Sequence, residues 1–156
     1  PWFVDNAPQY AGFPPSTAGV TCIITLKNNL PSELTCYIGY YSKAGTFLGP
    51  PFPSNSFVIP ANAAVAFRPV ADDLGPPDGT AGGQESETGN AVPDRPRGSI
   101  DVDGDGNEDL VDNGKNGSCS VSWTGGGGDV QGQLAWVQTT PALQIVSYCH
   151  LLPPGV

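Results

Sequence analysis

Proline and glycine interrupt this chain so often that no window of even ten residues carries a clean helical period. The 21 glycines and 17 prolines make up about a quarter of the 156 residues, close to low-complexity composition. Three Trp, five Tyr and six Phe, together with several Val and Ile runs, nevertheless supply the apolar surface of a folded core. Glycine and proline therefore read as punctuation between short strands. A chain of this length matches one domain. The expected fold is a soluble, all-β β-sandwich or jelly roll of about seven to eight antiparallel strands. No uninterrupted apolar run is long enough to cross a membrane, so membrane insertion is not expected.

Residues 1–17, "PWFVDNAPQYAGFPPST", form an extended N-terminal segment with four prolines, four aromatics and no partner strand nearby in sequence. Residues 18–156 form the sandwich domain. Within it, "GVTCIITLKNNLPSELTCYIGYYSKAGTFLG" reads as a hairpin, two strand-like runs flanking "KNNLPSE". "NSFVIP" and "AAVAFRPV" read as a second pair around Pro60, Ala61 and Asn62. The pattern then stops, and 75–112 is a long acidic loop, of a length that usually carries a function or stays disordered. Three more strand-like runs follow: "GSCSVSW", "DVQGQLAWVQT" and "ALQIVSYCHLL".

Formal net charge is −9, and twelve of the fifteen acidic residues lie between Asp72 and Asp112. Such a surface excludes nucleic acid as a partner, because the phosphate backbone demands a basic face. Six carboxylates crowd into "DVDGDGNEDLVD", residues 101–112. Their spacing suits a hard cation. Calcium takes about six to eight oxygens, and a loop supplies them compactly from alternating carboxylates, a backbone carbonyl and a glycine at the sharp turn. Asp101, Asp103 and Asp105 alternate, Gly106 follows them, Asn107 offers its carbonyl, and either Asp109 or Asp112 closes the site. Glu108 falls off the ligand register. The stretch resembles the calcium loops of dockerins, integrin-type propeller blades and thrombospondin type 3 repeats, which implies bound Ca2+. It lacks the flanking amphipathic helices and the final bidentate Glu of a true EF-hand, so the implied role is structural.

Four cysteines with no CxxC spacing and a single His read as two disulfides rather than a zinc site. Cys22–Cys36, across the expected hairpin, is the preferred first bond, which leaves Cys119–Cys149; the other connectivities stay open. With no Met in the chain, this reading points to a secreted, extracellular protein whose leader has been removed. Catalytic patterns are weak: His150 with Ser147 has no G-x-S-x-G elbow, and Glu85, Glu87 and Asp94 lie in a loop without an aromatic platform. "TGGGGDVQG" lacks the Lys-Ser/Thr of a phosphate loop. No enzymatic activity is expected. Trp123 and Trp136 fall in strand patterns as core residues, and Asn116 heads an N-G-S sequon.

The runs "ITLKNNLPSELTCYIGYYSKAGTFLGP", "FVIPANAAVAFRPVADD" and "SYCHLLPPG" make the chain similar to secreted bacterial β-domain subunits of extracellular, pilus-like helical filaments. That resemblance implies a homopolymer of identical subunits, each completing its neighbour's sheet with a donated strand. The residues that would lie at the interface are Trp2, Phe3, Val4, Tyr10 and Phe13, in a Pro-interrupted apolar tract suited to edge addition. A calcium-stabilised carbohydrate-binding or adhesin domain, with surface glycans as its partner, is the alternative.

Overall fold

The computed structural model describes residues 1–7, 14–71 and 92–152. Tyr10, Phe13, Glu85, Glu87 and the 75–91 part of the acidic loop lie outside the described residues. Eleven strands run β1 (Trp2–Val4), β2 (Gly19–Asn28), β3 (Leu34–Ser42), β4 (Phe47–Gly49), β5 (Ser56–Ile59), β6 (Ala64–Phe67), β7 (Gly98–Ile100), β8 (Asp109–Val111), β9 (Asn116–Trp123), β10 (Val130–Thr139) and β11 (Ile145–Leu151). The described residues contain no helix. Every pairing is antiparallel. The surplus over the expected strand count consists of short pieces, since β1, β4, β7 and β8 have three residues each.

One sheet has the order β1-β9-β3-β4, with β5 also on β3; the second has the order β11-β10-β2-β6. A separate ribbon pairs β7 with β8. Alternation decides which side chains meet between the sheets, because successive residues of a strand point to opposite faces. Ile38, Tyr40, Phe57 and Ile59 from the first sheet and Ile24, Leu26, Val65 and Phe67 from the second belong to one buried cluster. The fold is therefore sandwich-like, with a single core.

Neither expected hairpin forms. β2 pairs with β10 and β6, whereas β3 pairs with β9, β4 and β5, so the "KNNLPSE" connection carries the chain from one sheet to the other. The β5–β6 connection crosses in the same way, since β5 lies on β3 and β6 on β2. Asn28 supplies the physical reason. Its fully buried amide donates to the carbonyls of Ser32 (2.8 Å), Ile59 (3.1 Å) and Pro60 (3.1 Å), and its Oδ1 accepts from the Leu30 amide (2.8 Å). One carboxamide thus satisfies backbone groups of both crossings that burial would otherwise leave unpaired.

The expected Cys22–Cys36 and Cys119–Cys149 bonds are absent, and all four cysteines are free thiols. Cys22 and Cys36 are not cross-strand neighbours, because β2 and β3 belong to different sheets. Cys119 is buried in the core while Cys149 is exposed on β11. Burial pushes the Cys36 and Cys119 thiols up to about 11 and raises that of Cys22 further.

Candidate metal loop and N-terminal strand site

Two places bring the sequence-predicted residues together. The first is the tip of the β7–β8 ribbon. Asp101, Asp103 and Asp109 each present a carboxylate oxygen, and the three oxygens lie within 4.8 Å of one another. Local hydrogen bonds shape the loop between them. The Asp101 carboxylate accepts from the amides of Gly104 (2.6 Å) and Gly106 (3.1 Å), and Asp109 accepts from the Val102 amide (3.1 Å). Gly104 and Gly106 have φ of 77° and 88°, a left-handed conformation that a side chain would oppose.

Of the two candidates for closing the loop, Asp109 is in the group. Asp112 is not: its carboxylate is ion-paired with Arg95, whose side chain is fully buried. Arg95 also donates from Nε to the Pro69 carbonyl at 3.1 Å, so this guanidinium fastens the base of the acidic ribbon to the sandwich. Asp105 is likewise outside the trio. It accepts from the Asn107 side-chain amide (3.0 Å) and backbone amide (2.7 Å), and these bonds hold its carboxyl below the usual range. Glu108 is not one of the three and accepts from the Ser99 hydroxyl. The donor set is all oxygen, with neither imidazole nor thiolate, and three exposed carboxylates this close can hold a hard metal ion.

The second place is the seat of the N-terminal segment. Its partner strand lies far along the chain: Trp2, Phe3 and Val4 pair with Ser118, Gly117 and Asn116 of β9. Phe3 is fully buried and meets Tyr40 edge-on, ring centroids 6.4 Å apart. Glycine at 117 makes this possible, since a Cβ there would run into the Tyr41 carbonyl and touch the Phe3 ring. Trp2 stays half-exposed and packs edge-on against Trp136 at 5.1 Å. Trp136 and Trp123 are partly buried against the core.

Asp5, which the sequence reading passed over, is the polar anchor. It is buried and accepts from Arg68 Nη2 (2.6 Å), Arg68 Nε (3.1 Å) and the Cys22 amide (2.9 Å). Burial pushes its carboxyl up, while Arg68 and the Cys22 amide oppose that rise. The segment also touches both sheets: the Asp5 amide donates to Lys115 (2.9 Å) beside β9, and the Asn6 and Ala7 amides donate to Val20 of β2 (2.9 and 3.0 Å). Residues 1–7 thus close one open side of the sandwich. No signal local to "PWFVDNA" could have shown this, because the decisive partner is 63 residues downstream.

β1 covers only half of the β9 edge. At its end the Cys119 amide donates to the Pro1 carbonyl at 2.8 Å, and among the described residues no strand continues along Ser120–Trp123 on that side. An apolar groove of about 490 Å³ opens there, lined by Pro1, Ile24, Leu26, Val121, Val130 and Leu152 among others. Compared with protein-family models, curated proteins and solved structures, the chain matches none.

Proposed function

We propose that this protein is a structural subunit of an extracellular filament, joined head-to-tail to identical subunits by strand donation and stabilised by bound calcium. The observation that carries this reading is the seating of residues 1–7. A short strand on an exposed sheet edge, anchored by one apolar side chain and one buried ion pair, is the geometry of strand addition. The same contacts can be made by the segment of a second copy. A contact of that kind is heterologous and does not close on itself, so it propagates.

Calcium is the ion that best fits the ribbon tip, because magnesium demands tighter octahedral geometry and keeps its waters. Asp101, Asp103 and Asp109 would hold it. An exposed site with few carboxylates suits the weak affinities of extracellular modules, about 10⁻⁴–10⁻³ M. The ion would neutralise the acidic ribbon and stiffen it. Calcium at a hundredfold excess over its dissociation constant would stabilise the fold by about 2.7 kcal/mol. A chelator is therefore expected to lower the melting temperature, and Asp103→Ala to remove that sensitivity; identical melting curves with and without chelator would contradict calcium binding.

The half-exposed Trp2, edge-on to Trp136, which in turn contacts His150 at 6.4 Å, favours a second reading, a glycan-binding domain with an aromatic platform. Negative-stain imaging of the full chain separates the two. The filament reading expects fibres, and expects none from a chain beginning at Pro14. Monomers retained on a glycan array, or fibres from the shortened chain, would count against strand donation.

A further inference from the structure

We propose that two sheet edges on which no described strand lies, the Ser120–Trp123 half of β9 and the outer edge of β11, associate between copies, with β11 of one copy adding as a strand beside β9 of the next. This contact involves no residue of the N-terminal segment except Pro1 at the groove's lip, and it does not rest on that segment changing owner.

The β9 edge presents main-chain groups. Because the Cys119 amide donates to Pro1, the backbone groups of Cys119 face away from β3, and the β3–β9 register runs unbroken to Trp123. The same side therefore carries the amides and carbonyls of Val121 and Trp123, and among the described residues no strand lies against them. β1 already adds to this edge, so a further strand would prolong an addition the fold makes for itself. Beneath the edge, the 490 Å³ groove offers apolar walls for alternate side chains.

β11 has the opposite character. Its only partner among the described residues is β10, and all seven of its residues are exposed. Ile145 is 60% exposed, Tyr148 54% and Leu151 72%, in a strand without any Asp, Glu, Lys or Arg. Natural edge strands are normally blunted by charges, proline or a bulge, and β11 has none of these, with an unbroken register to β10. Such an edge is built to be paired.

Self-complementarity points to a second copy as the partner, because the acceptor edge with its groove and the exposed strand belong to the same chain. At net −9 two copies repel, and a surface free of acid lets them approach at the lowest electrostatic cost. From Asn116 to Leu151, the stretch that holds β9, β10 and β11, Asp129 is the only Asp, Glu, Lys or Arg. One molecule therefore carries both an uncharged apolar acceptor and an uncharged apolar strand.

The test uses the full chain with Ser122→Cys, which places an exposed thiol on β9 to complement the exposed Cys149 on β11; the other three cysteines are buried. Labelled (15N) and unlabelled chains are mixed, treated with a short bis-maleimide, digested and analysed by mass spectrometry. The proposal expects 122–149 cross-linked peptides carrying one label each. It also expects Ile145→Lys/Tyr148→Lys, which changes exposed side chains on both faces of β11, to remove those peptides and raise the half-association concentration about tenfold or more. Cross-links confined to single chains, no 122–149 product at all, or association unchanged by the two lysines would overturn it.

Discussion

Asp5→Ala is expected to destabilise the folded chain by about 3–5 kcal/mol, the cost of breaking a buried ion pair by removing one partner. Both side chains of the Asp5–Arg68 pair are fully buried, and the alanine would take from the buried guanidinium the charge and the two hydrogen bonds that Asp5 gives it. The size of the effect comes from desolvation of the guanidinium, which the lost carboxylate no longer offsets, rather than from the strength of the pair alone. Replacing both partners by apolar residues, Asp5→Leu with Arg68→Met, is therefore expected to recover most of the loss. Urea unfolding of the three proteins checks this, read as a shift in midpoint at constant slope.

Phe3→Ala is expected to cost about 3–5 kcal/mol by a different route, loss of apolar burial plus the cavity left behind. Phe3 is fully buried between Gly117 and the Tyr40 ring, a site that cannot easily collapse because its walls are β-strands of one sheet. Its neighbour gives the control: Trp2 is half-exposed, so Trp2→Ala should cost clearly less under the same urea titration. Phe3 and Asp5 belong to one short segment, so their effects should couple rather than add.

These two residues also mark where sequence reading stops. The all-β class was legible because the missing helical period, the short strand-like runs and the frequency of glycine and proline are local properties. The acidic loop was legible for the same reason, its Asp residues recurring every second position. Which later Asp joins Asp101 and Asp103 was not, since Asp112 is in register for the loop yet paired with Arg95, 17 residues away. The two connections read as hairpins became crossings between sheets because Asn28 binds carbonyls at Ser32, Ile59 and Pro60, a set no turn rule contains. Cysteine parity likewise said nothing about which sheet or face each thiol occupies. Phe3 could be read as apolar, but its burial depends on a glycine more than a hundred residues downstream.

The central claim is that residues 1–7 fill the same seat when a second copy supplies them, and the Asp5–Arg68 pair makes it testable. In Asp5→Arg two cations would meet in the core, and in Arg68→Asp two carboxylates would, so neither variant should form fibres alone. Co-refolded in equal amounts, each would offer a segment that complements the other's seat. Electron microscopy should then show fibres in the mixture, as in the chain carrying both substitutions. A mixture without fibres, beside a doubly substituted chain that forms them, would mean that the segment stays with its own chain and would contradict strand donation.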